Sequence, residues 1–80
     1  MKNQIVKIGL VELTTEEAKE LYESGRNHII TYTKIYAINY DETKNKFYGI
    51  QLFQAGNGEK FTRRGRFYAM NKDDAAKLLS

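Results

Sequence analysis

The chain has 80 residues, of which 41% are hydrophobic, and it carries 13 Lys and Arg against 10 Asp and Glu, a net charge of +3. The length suits one domain and not two, because each half would be too small to bury a core without a disulfide or a metal, and the chain contains no cysteine. The hydrophobic content argues against intrinsic disorder, and no stretch approaches the ~20 apolar residues that a membrane span requires.

A strand and then a helix are predicted at the start of the chain. Residues 4–13 are rich in β-branched side chains that alternate loosely, and Gly9 is expected at a bulge or at a close approach of two backbones. Thr14 has the position of a helix N-cap, Glu17 completes a capping box with it, and Gly25 follows the last turn as a left-handed cap. The pattern predicts a short helix between Thr14 and Gly25.

Three further strands and a second helix are predicted in the rest of the chain. Residues 27–41 are a run of Ile, Tyr and Thr and should form the longest strand. A second strand at 46–55 would turn back through the glycines of 56–58 into a third strand at 59–70. Asn71 then has the position of an N-cap for a terminal helix. Residues 28–70 are therefore expected to form a three-stranded antiparallel meander.

The predicted fold class is α+β, with the order β-α-β-β-β-α in one domain over residues 1–80. We expect a mainly antiparallel sheet of three to four strands with two short helices on one face. The first strand could pair with the meander or with another subunit. Apolar residues occur on both faces of the strand at 46–55, where Phe47 and Phe53 alternate with Ile50 and Leu52. This pattern favours a partner that covers part of the second face.

The residues that enzymes use are scarce. His28 is the single histidine, and without cysteine there is neither a thiol nucleophile nor a cysteine metal cage. The glycines before Lys60 lack the spacing of a phosphate-binding loop, and Asp41, Glu42 and Glu59 lack the alternation of a calcium-binding loop. We therefore expect no enzyme activity, no cofactor, no metal site and no small-molecule substrate.

Nucleic acid is the first candidate partner. Residues 28–70 hold seven Lys and Arg against three Asp and Glu, so the predicted sheet carries the whole positive excess. Cations neutralise phosphates, and tyrosines on a sheet can stack on exposed bases. The candidate contacts to DNA or RNA are Lys34, Lys46, Lys60, Arg63, Arg64, Arg66 and Tyr68. In a regular strand Arg64 and Arg66 share one face and Arg63 lies on the other, so the patch needs cations from neighbouring strands.

From Thr15 onward, the predicted order α-β-β-β-α resembles that of double-stranded RNA-binding domains, in element order alone. Those domains place lysines at the start of the second helix, where this chain has Lys72, Asp73 and Asp74. Acidic side chains at a helix N-terminus interact favourably with the helix dipole but repel phosphate. A nucleic acid is therefore expected on the sheet or its edge loops and not at the helix ends.

A protein-interaction module is the alternative function. Apolar residues on both strand faces favour a homodimer or another protein partner, as in a small regulator, inhibitor or assembly subunit of phage or mobile-element type. Lys7 and Glu12 interrupt the apolar run near the start, so a secretory signal is not expected and the cytoplasm is the default location. We rank nucleic-acid binding slightly ahead of a protein partner.

Overall fold

The structure, a computed structural model, describes residues 5–56, 61 and 67–79. These residues form β1 (Ile5–Ile8), β2 (Val11–Thr14), α1 (Thr15–Glu23), β3 (His28–Ile30), β4 (Lys34–Asp41), β5 (Lys46–Gln54), β6 (Tyr68–Met70) and α2 (Lys72–Lys77). β1 pairs with β2, and the other strands form one antiparallel sheet in the order β5-β4-β3-β6. The predicted α+β class with a mainly antiparallel sheet is confirmed. Neither α1 nor α2 is long and apolar enough to cross a membrane.

The segment predicted as the first strand is a β-hairpin. Ile8 pairs with Val11, and the two residues between them form the turn. Gly9 has a φ of 63°, as a turn with glycine at its first central position requires. A Cβ atom at Gly9 would lie 2.8 Å from Cζ of Tyr36, so the close neighbour is a side chain and not the second backbone that we expected. The glycine thus reverses the chain where we expected one strand to continue.

The long strand predicted at 27–41 is also a hairpin, formed by β3 and β4. The backbone N–H of Thr31 donates to the carbonyl of Lys34 at 2.8 Å, and its hydroxyl donates to the same oxygen at 2.9 Å. The N–H of Ala55 reaches across to the Thr33 carbonyl at 2.7 Å. This turn contains no Gly, Pro, Asn or Asp, so the residues that normally mark a turn are missing from the sequence.

The β3–β4 turn changes the strand order. β6 pairs with β3, with Tyr68 opposite Ile30 and Ala69 opposite Ile29. The meander predicted for residues 28–70 is therefore wrong at its last strand, which lies on the far side of the sheet from β5. Once β3 is a separate strand, its free edge can accept β6. The glycine hairpin predicted at 56–58 includes residues outside the described part of the chain.

The sheet is covered on both faces, by different elements. Neighbouring strand residues point to opposite faces, so the adjacent Ile29 and Ile30 belong to two cores. The first core contains Val6, Ile8, Leu13, Ala18, Ile29, Tyr36 and Ile38, and we call this side of the sheet the α1 face. The second core contains Ile30, Ile35 and Ala75, with Phe61 and Met70 packed against it, and we call this side the α2 face. The two helices thus lie on opposite faces, where we expected both on one.

The reversal after Ile30 also changes which side chains share a face. Unbroken alternation would have put Ile30 on the same side as Tyr36 and Ile38. The hairpin instead pairs Ile30 with Ile35 and Ile29 with Tyr36.

Both helices begin at the predicted caps. The Glu17 N–H donates to the Thr14 hydroxyl at 3.1 Å, and the Thr14 N–H donates to the Glu17 carboxylate at 2.9 Å. Gly25 has a φ of 84° just after α1. The Asp74 N–H donates to the Asn71 side chain at 2.8 Å at the start of α2. Both N-caps are predictable from sequence because each depends on residues only three positions apart.

Packing of the β1–β2 hairpin on β5 depends on Gly49. A Cβ atom at this position would lie 2.8 Å from Cγ2 of Ile8, which is fully buried and has no space to move. We therefore expect Gly49→Ala to lower the free energy of unfolding by ~1–3 kcal/mol in urea denaturation. The control is Gly56→Ala, because a Cβ atom there meets nothing within 4 Å. Equal stability of the two variants would contradict this packing.

Candidate functional site

The candidate nucleic-acid contacts fall into two groups. Lys60, Arg63, Arg64 and Arg66 lie outside the described residues. Lys34 begins β4 and is half-buried, Lys46 begins β5 and is exposed, and Tyr68 begins β6 and is exposed.

The three described candidates do not share a surface. Lys34 pairs with Gln54 at one end of the β4–β5 ladder, and Lys46 pairs with Asp41 at the other end. Seven residue steps separate these ends, which corresponds to roughly 23 Å. Lys34 precedes Ile35 and therefore points to the α1 face, whereas Tyr68 lies opposite Ile30 on the α2 face. The described part of the chain assembles no continuous basic face from them.

A different surface is open along β5. This strand of nine residues lies at the edge of the sheet, and within the described residues it pairs with β4 alone. Four of its large apolar side chains are exposed, and we call them the β5 strip: Tyr48, Ile50, Leu52 and Phe53. No charged residue occurs between Lys46 and Gln54. The edge therefore combines apolar side chains with a backbone side that no described strand pairs with.

Each face of β5 has a different environment. On the α1 face, Gly49 lies beneath Ile8 and the Phe47 ring meets the ring of Tyr22, so α1 and β1 cover this side. On the α2 face, Tyr48 and Ile50 project beyond the cover that α2 provides, because the only fully buried residue of this helix packs near the other end of β4. The β5 strip is open because α2 is short.

A bulge interrupts the β4–β5 ladder near the end of β5. Ile35 pairs with Phe53 and Tyr36 pairs with Gln51, so Leu52 is the extra residue between them. Leu52 is 52% exposed, and the Phe53 ring lies 6.0 Å from that of Phe61. Bulges are one device that limits pairing at an edge, and here it affects the last third of the strand. The segment before it remains regular.

Sequence reasoning missed the β5 strip as a set of site residues, although its signal was present. Apolar residues at successive positions of 46–55 favoured a partner that covers one face. The candidate site residues were chosen mainly for their positive charge. That choice included Lys46 at the start of the strand and none of the strand's central residues. Whether β5 is a core strand or an open edge depends on the exposure of its side chains. That exposure depends on how far α2 extends over the sheet.

His28 is the described group with the clearest shift in its titration. Partial burial, and secondarily the positive charge of Lys72, lower the pKa of its imidazole below the usual 6.5. Its Nδ1 lies 3.2 Å from the side-chain oxygen of Asn27. Within residues 5–56, 61 and 67–79 there is no group of three His, Cys, Asp or Glu that could hold a metal ion. Burial and the charge of Lys72 thus both favour the neutral form of the His28 ring.

Comparison with known proteins finds no matching family model, no matching curated protein and no matching solved structure.

The pKa of His28 can be measured directly, because it is the single histidine of the chain. We expect an NMR titration of its ring protons to give a value below 6.5. The unfolded chain then binds the His28 proton more readily than the folded chain does. The free energy of unfolding should therefore fall as the pH is lowered through and below 6.5. Lys72→Gln should raise the His28 pKa, whereas Lys34→Gln should leave it unchanged. A value at or above 6.5 would show that burial and Lys72 do not govern this ring.

Proposed function

We propose that this chain is a non-enzymatic protein-interaction module whose contact strand is β5, and that the partner strand is β5 of a second copy. The observation that carries the proposal is the uncharged, apolar edge of this nine-residue strand, which has no pairing partner among residues 5–56, 61 and 67–79. We place the module in the cytoplasm, in keeping with a chain that has no cysteine to form disulfides.

The backbone of β5 supports a strand as the partner. An edge strand presents a row of N–H and C=O groups, and another extended chain is the partner that satisfies them in order. Soluble proteins usually protect such an edge with charges or proline. The central residues of β5 contain neither. Tyr48 and Ile50 of the β5 strip would add apolar contacts on the α2 face of the new pair.

Symmetry and charge support a second copy. Ile50 is the midpoint of Lys46–Gln54, so two antiparallel β5 strands can meet about a two-fold axis at Ile50. In that register Gly49 of one copy lies opposite Gln51 of the other, within the regular segment before the bulge, and no charged residues face each other there. The pair would join two four-stranded sheets into one of eight strands. A chain of 80 residues has a small core, and this contact enlarges it.

Nucleic-acid binding is the competing proposal. It depends on Lys60, Arg63, Arg64 and Arg66, which lie outside the described residues, together with tyrosines on the sheet. The described geometry favours the protein contact, because Lys34, Lys46 and Tyr68 are far apart or on opposite faces.

Sedimentation equilibrium tests the proposed contact. We expect the chain to dimerise at high micromolar concentration, and Ile50→Lys to weaken the dimer by about ten- to a hundred-fold, because two lysines then meet at the axis and two apolar side chains leave the contact. The matched control is Leu10→Lys, which places the same charge on a fully exposed apolar residue of the β1–β2 turn. Urea denaturation should show that both variants fold.

A clean monomer at high micromolar concentration would refute the β5 contact. Equal weakening by Leu10→Lys would show that net charge, and not the β5 edge, controls association.

A nucleic-acid surface predicts a different result. Binding to a mixed pool of DNA and RNA would be detectable at low salt, would weaken steeply as salt is added, and would fall when Arg64→Ala is combined with Arg66→Ala. We expect fluorescence anisotropy to show no such binding. Salt-sensitive binding that the double variant removes would favour the competing proposal instead.

A further inference from the structure

A groove lies at the end of the molecule where β1 begins, between α1 and the β4–β5 turn. Its volume is about 700 Å³, within the range of roughly 300–1,000 Å³ that is typical of small-molecule sites. Ile5 and Tyr22 lie on its walls, and Phe47 lines it from β5. Of the described residues that line the groove, only Lys46 and Phe47 belong to β5, and neither is part of the β5 strip.

Aromatic rings make up much of the groove. The Tyr22 and Phe47 rings meet edge to face, with centroids 5.6 Å apart and an interplanar angle of 66°. The centroids of the Tyr40 and Phe47 rings lie 4.8 Å apart. The Tyr40 hydroxyl donates to the side-chain oxygen of Asn45, which fixes this ring to the turn. Tyr22 is 42% exposed, so its ring is available to a planar molecule.

Charged side chains border the same groove. Lys19 of α1 and Lys46 of β5 both line it, together with Glu23. The ion pairs formed among the described residues are Lys7 with Glu12, Arg26 with Glu20 and Lys77 with Asp74. Lys19 and Lys46 thus have no carboxylate partner in the described part of the chain. Two ammonium groups and one carboxylate leave a net charge of one positive at the border.

We propose that this groove binds a small planar aromatic molecule that carries a single negative charge, such as an aromatic carboxylate. The ring would stack against Tyr22 and Phe47, and the carboxylate would meet the ammonium group of Lys19, with Lys46 adding to the local positive charge. The carboxylate of Glu23 would repel a second negative charge on the ligand. An apolar floor with a few charged groups at its border is the usual composition of a small-ligand site.

NMR titration of the full chain with indole-3-carboxylate tests this site. We expect shifts at the residues lining the groove and a dissociation constant in the roughly millimolar range, as suits an open groove and a ligand of about twelve heavy atoms. Indole-3-carboxamide has the same ring without the charge and should bind about three- to five-fold more weakly. Added salt should weaken the binding of indole-3-carboxylate and leave the binding of indole-3-carboxamide unchanged.

Two pairs of matched variants separate the ring from the charge. Lys19→Ala should weaken the binding of indole-3-carboxylate by about three-fold. Lys34→Ala, at the opposite end of the sheet, should leave this binding unchanged. Tyr22→Leu should weaken the binding of both ligands by about five-fold. Tyr48 has a ring that is also 42% exposed, and Tyr48→Leu should leave the binding of both unchanged. Lys19 is exposed, so its variant keeps the proposal testable if Tyr22→Leu disturbs the fold.

The proposal is overturned if indole-3-carboxylate shifts no residue of the groove. Equal affinity for the carboxamide, or equal weakening by Lys34→Ala, overturns it as well.

Discussion

Burial of the adjacent residues Ile29 and Ile30 is the constraint on which the rest of this structure depends. Both side chains are fully buried, and they point to opposite faces of β3, so both faces of one small sheet need cover. The β1–β2 hairpin and α1 cover one face, and α2 with Phe61 covers part of the other. On the remainder of that face, Tyr48 and Ile50 stay exposed.

The open β5 edge follows from this shortage of cover. α2 has six residues and packs through Ala75 against Ile30 and Ile35, so its cover ends before the centre of β5. On the opposite face, Ile8 packs so closely that a side chain at position 49 has no space. One strand thus has a densely packed side and an open side. The proposed contact uses the open side and the free edge, and the proposed ligand groove lies where the packed side ends.

The local structure was predictable wherever the signal spans a few residues. Thr14 with Glu17, and Asn71 with Asp74, mark the helix starts, because an N-cap side chain accepts a hydrogen bond from an N–H only two or three positions later, here three. Strand content was also evident in the β-branched and aromatic runs. The break between β3 and β4 was not, because the turn at Thr31 is held by hydrogen bonds to Lys34 and Ala55 and not by turn residues.

The sequence by itself determined the α+β class, the two capped helices and an uncharged apolar stretch at 47–53, since composition, capping and alternation are local properties. Only the tertiary structure decided that Ile29 and Ile30 belong to different cores, that β6 pairs with β3, and that β5 is an edge. It also placed Lys34 and Lys46 at opposite ends of one ladder. Strand order and exposure depend on which distant segments pack together, and no local pattern encodes that choice.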